Sequence, residues 1–107
     1  MSELRRNRRP STPGMILKAH YMEPRAISVT ALAEALGMSR KHMSQIINGH
    51  KRVEPLTAAR LSRVLGTTPR FWLNLQTAVD AWDASVELAD WQPHATFAVP
   101  ASPDRPA

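Results

Sequence analysis

The most constraining stretch of this chain is Ser28 to Gly49, SVTALAEALGMSRKHMSQIING. It reads as two short helices with almost nothing between them. Ser28 is a good N-cap, and Val29, Leu32, Ala33 and Leu36 follow at i, i+3, i+4 and i+7, the spacing of one helical face. Gly37 stops that helix, because glycine readily takes the left-handed conformation needed just past a helix end. Only Met38 stands between Gly37 and the next N-cap, Ser39. Met43, Ile46 and Ile47 then form a second apolar face, and Asn48-Gly49 ends it. So tight a connection forces the two helices to cross closely. Ala33 is the small residue at that crossing, and Met38 is the apolar plug that seats the turn.

The rest of the chain reads as helix around this pair. Thr12 caps a first helix with Pro13 in its first turn, and Ile16, Leu17, Tyr21 and Met22 form its apolar side. Pro24 ends it. Pro55 and Thr57 start a fourth helix, with Leu56, Ala59, Leu61, Val64 and Leu65 expected on its buried side and Gly66 closing it. Thr68-Pro69 opens a fifth and longer helix over about 70–90. In it Trp72, Leu75, Val79, Trp82 and Val86 step by 3, 4, 3 and 4, a seam of about two heptads. Phe71 and Leu75 are expected in the core, with part of Trp72. The expected organisation is all-α: a basic arm over 1–11, flexible unless an anion orders it, a five-helix domain over 12–91, and a tail over 92–107. The tail carries four prolines and is expected to be disordered alone.

Charge divides the 107 residues unevenly. Residues 1–70 hold thirteen Lys/Arg against four Asp/Glu, a net +9, and residues 71–107 hold one against five, a net −4. A basic front and an acidic back point to two different partners, one of them polyanionic. The front is concentrated at Arg5, Arg6, Arg8 and Arg9, and again at Arg40, Lys41, Lys51 and Arg52, with no acidic residue between Arg40 and Arg52. The second cluster decorates the second helix of the tight pair. Arg40, Lys41, Ser44 and Gln45 fall opposite Met43, Ile46 and Ile47. Arginine can donate two hydrogen bonds to guanine, and glutamine can pair both ways with adenine. Ser28, Ser39, Asn48, Lys51 and Arg52 are placed for phosphates. An isolated basic run is more often a solvated face; a protruding second helix favours DNA.

Other chemistry is poorly served. With no cysteine there is no disulfide framework or thiolate metal site, which fits a reducing cytoplasm. His20, His42, His50 and His94 lack metal-ligand spacing, and the four glycines stand one per helix boundary rather than in a phosphate loop. No catalytic triad can be assembled, so neither an enzyme nor a cofactor is expected. No segment is apolar for the length a membrane span requires, and the arginine-rich start has no apolar core behind it, so no secretory signal is read there.

At this point the sequence resembles a known group. The layout over about residues 12–75 is similar to the phage-repressor and Cro type of helix-turn-helix domain, the XRE family. More narrowly, the PG of the first helix, the SR-K-S-I-NG segment and GTTPRFWLNLQ-D-W resemble the HigA/VapI antitoxins of bacterial toxin–antitoxin modules. The resemblance implies a repressor of its own operon that binds a palindromic operator as a homodimer. It also implies a HigB-type, RelE-like mRNA-cleaving toxin that the antitoxin neutralises by direct binding. In the resembling repressors the first two helical positions and the sixth, here Arg40, Lys41 and Gln45, face base edges. Trp82, Val86 and Trp91 are the expected dimer or toxin contacts, since tryptophan is favoured at interface centres; core packing is the alternative. Asp80, Asp83, Glu87 and Asp90 suit a basic partner, or form an ordinary solvated face. Two rivals remain: a stand-alone XRE-family repressor without a toxin, and a protein-interaction module that has lost DNA binding.

Overall fold

Each helix begins and ends where local chemistry satisfies its unpaired backbone groups. In the computed structural model, which describes residues 8–98, the elements are α1 (Pro13–Ile16), α2 (Val29–Leu36), α3 (Arg40–Ile47), α4 (Pro55–Leu65) and α5 (Pro69–Glu87). Among the described residues there is no strand. Thr12, Ser28, Ser39 and Thr68 each accept a hydrogen bond from the backbone N–H three residues on, at 3.0–3.2 Å. These are the side-chain caps expected of such residues. Only α4 starts without one: Glu54 is its cap residue, and Pro55 supplies the fixed φ instead.

The turn between α2 and α3 is a Schellman closure. The Met38 N–H donates to the Ala33 carbonyl at 3.0 Å and the Gly37 N–H to Glu34 at 3.1 Å. Gly37 sits at φ +71°, which a side chain would strain.

The first helix departs from the expected regularity. After Ile16 the backbone continues as a π-helical stretch, Leu17–Met22, and then a 3₁₀ turn, Glu23–Arg25. Its i→i+5 hydrogen bonding widens the turn. Leu17 and Met22, five apart, are both buried, while Ile16 and Tyr21 pack partly buried beside them.

The core gathers Leu17, Met22, Leu32, Ala33, Leu36, Met43, Ile46, Ile47, Val53, Ala58, Leu61 and Trp72 from the π-helical stretch, α2 to α5 and the 48–54 loop. Trp72 is fully buried and its indole N–H donates to Thr67 Oγ1 at 2.7 Å. Phe71, expected inside, is instead 36% exposed and lies edge-on against Trp72. Consecutive helical residues point about 100° apart, and the docking of α5 centres its buried face on Trp72, leaving Phe71 at the edge. On α4 the expectation fails at both ends: Leu56 and Val64 are exposed, and the buried face is Ala58, Leu61 and Ser62. On α5 the buried line is Trp72, Gln76 and Val79, with Leu75 only half-buried.

Candidate nucleic-acid interface

α1 is pressed against the C-terminal end of α3 at Gly14. A Cβ built there would overlap the Ile46 carbonyl oxygen and come within 2.7 Å of that of Ile47. Glycine thus lets the two backbones meet. With Ala33 buried at the α2 crossing, α3 is supported from behind by Met43, Ile46 and Ile47. Its other face is left outward.

That face carries the expected residues. Arg40 and Lys41 are exposed in the first turn, and Ser44 and Gln45 follow half-buried. Ser44 Oγ accepts from Asn48 Nδ2 at 3.3 Å, and the Gln45 carbonyl accepts from the N–H groups of His50 and Lys51, closing the end of α3. Among the described residues Arg40, Lys41 and Lys51 take part in no ion pair, so their charges stay available. Ser28 and Ser39 spend an acceptor lone pair on their caps, and each hydroxyl proton remains free to donate.

Arg52 is different. Its Nη1 and Nη2 fork onto the Asp80 carboxylate of α5 at 2.9 and 2.6 Å, and its Nε lies 3.4 Å from Glu54 Oε2. In the free chain the Arg52 guanidinium, expected on phosphate, is thus engaged by a bidentate carboxylate. Its hydrogen bond to Asp80 raises the Arg52 pKa and holds the Asp80 carboxyl below its ordinary value. Arg9 of the basic arm is engaged in the same way: it forks onto Asp83 through Nε and Nη2, both at 2.9 Å. The hydrogen bond from Arg9 lowers the Asp83 pKa. Arg5 and Arg6 lie outside the described residues, as does the tail beyond residue 98. Residues 92–98 carry no helix or strand.

Gln76 was not singled out from the sequence. It is buried, accepts from the Val53 N–H at 2.8 Å and donates to Asp80 Oδ1 at 3.0 Å. The signal was its spacing, four residues past Trp72 and three before Val79; its polarity hid it. Together these groups line a cleft of about 590 Å³, with Arg9, His42, His50, Lys51 and Arg52 facing Glu54, Asp80 and Asp83. Farther along α5, Trp82 is half-buried and Val86 exposed, and Trp91 is exposed past its end. No helix among the described residues is long and apolar enough to cross a membrane.

Comparison with known proteins places this frame. Residues 19–72 match the family model described as Helix-turn-helix. The chain is 49% identical over 76 residues to antitoxin HigA-1 of Vibrio cholerae, covering 71% of each protein. The chain belongs to the HigA family of helix-turn-helix antitoxins. Solved structures agree in shape. Antitoxin GraA in complex with its operator superposes with a TM-score of 0.78 at 36% identity, over 91% of this chain and 98% of that one. Pseudomonas aeruginosa antitoxin HigA with the higBA promoter gives 0.73 at 29% identity, over 81% and 100%. The matched segment holds α2, α3 and α4 whole, with α3 as the second helix of the tight pair.

Proposed function

We propose that this protein is a DNA-binding antitoxin that represses its own operon and neutralises a partner toxin. The observation that carries the reading is α3: a helix packed from behind by Met43, Ile46 and Ile47, with Arg40 and Lys41 exposed at its start and in no ion pair among the described residues. The structures of GraA with its operator and of Pseudomonas aeruginosa HigA with the higBA promoter, similar in fold to this chain, support it. Arg40, Lys41, Ser44 and Gln45 read base edges in the major groove. Ser28, Ser39, Asn48 and Lys51 contact phosphates and set the register. Arg52, expected in the same set, is paired with Asp80 in the free chain.

One such module offers little contact area, so the reading includes a homodimer spanning two half-sites of a palindromic operator. The exposed apolar residues at the far end of α5 and beyond, Val86 and Trp91 with half-buried Trp82, supply the dimer or toxin surface. The toxin is of the HigB type, RelE-like and basic, and the protein acts in the cytoplasm by binding, without catalysis. The toxin half is tested by co-expressing the chain with the product of the adjacent reading frame. A stable complex that abolishes the neighbour's growth arrest is expected. Independent elution, with growth arrest undiminished, would leave a stand-alone repressor.

A further inference from the structure

The acidic half of the molecule holds back part of the basic half. Asp80 and Asp83 lie three residues apart, on one face of α5. Asp80 clasps Arg52 from the loop after α3, and Asp83 clasps Arg9 from the segment ahead of α1. The two arginines are remote in sequence, yet both end on the cleft that also holds His42, His50 and Lys51. Each pair is a two-pronged fork, the arrangement that best matches a guanidinium to a carboxylate. Asp80 is fixed from a second side by Gln76, which also ties down the Val53 N–H next to Arg52. Arg52 in turn has Glu54 on its remaining edge.

A phosphate could accept the same fork, so exchange alone would be close to neutral for the arginine. It would, however, strand a carboxylate beside the negatively charged backbone. That repulsion favours keeping the internal pair. We propose that Asp80 and Asp83 are positioning residues for DNA binding, which hold Arg52 and Arg9 in solvent-exposed intramolecular ion pairs and keep both cations off the phosphate backbone. The proposal rests on the DNA-binding reading above and sets how strongly this surface binds any duplex, independently of sequence.

The test is the salt dependence of binding to a mixed-sequence duplex of about 30 bp, followed by fluorescence anisotropy between about 50 and 200 mM salt. Each phosphate neutralised adds about 0.9 to the slope of log affinity against log salt, an extra loss of about 3–4-fold over that range. Arg52→Gln is expected to leave the wild-type slope unchanged. Asp80→Asn keeps an acceptor for Gln76, frees Arg52, and should steepen the slope by about one unit; adding Asp83→Asn should steepen it by about two. Asp80→Glu should return it to the wild-type value. A slope that falls by about one unit in Arg52→Gln would show that arginine already on phosphate and overturn the proposal, whether or not the aspartate variants fold. So would an unchanged slope in the double variant at an unchanged unfolding midpoint. Wild-type chain that binds no duplex at all would overturn the DNA-binding reading, and the proposal with it.

Discussion

A missing methyl group decides how the first helix meets the third. At Gly14 the obstacle to a side chain is backbone, the carbonyls of Ile46 and Ile47, which cannot rotate aside as a flexible side chain would. Gly14→Ala should therefore lower stability by about 1–3 kcal/mol or more, through a forced shift of α1. Urea or thermal unfolding measures this, and unchanged stability would show that the two helices separate freely. The PG pair was visible in the sequence, but the approach that demands it was not, because it joins residues far apart in the chain. Caps are the opposite case. Ser28, Ser39 and Thr68 were legible because a cap is settled within three residues. Phe71 and Trp72 could not be sorted without knowing which way α5 docks; the docking buried Trp72 and left Phe71 half outside.

Among the elements, α5 was read with the right N-cap and a seam that holds at Trp72 and Val79 but not at Leu75. An apolar pattern selects Leu75 and skips Gln76, yet Gln76 is the buried one, since its side chain satisfies the Val53 N–H. A buried backbone donor must find a partner, and here a polar side chain from a neighbouring helix supplies it. Gln76→Leu keeps the apolar volume and orphans that N–H. The expected cost is about 1–3 kcal/mol. Hydrogen exchange at the Val53 amide should accelerate more than at core amides of α2; equal protection in the variant would contradict the assigned bond. The α2–α3 pair, by contrast, was legible in full. Its helices, its glycine turn and its small crossing residue all lie within one continuous stretch, and the family model spans that stretch.

For the molecule as a whole, the division of charge was legible but its use was not. It suggested two outward-facing partners. The fold spends part of it within the chain, in the solvent-exposed Arg9–Asp83 and Arg52–Asp80 pairs, and leaves Arg40, Lys41 and Lys51 as the cations offered by α3 and its loop. The far end of α5 and the residues after it stay apolar and exposed at Val86, Leu88 and Trp91. On the dimer reading, Trp82→Ala should shift sedimentation toward monomer while the helical circular dichroism is kept. A dimer of undiminished affinity would move the subunit contact elsewhere. Operator recognition is the claim on which the rest depends. Its most direct measurement is the affinity of the chain for a duplex from its own upstream region, compared with a scrambled duplex of equal length and salt. Binding about 10³-fold or more tighter to the upstream duplex is predicted, with the preference reduced by about 1–3 kcal/mol in Arg40→Ala. Equal affinity for the two duplexes would contradict the account.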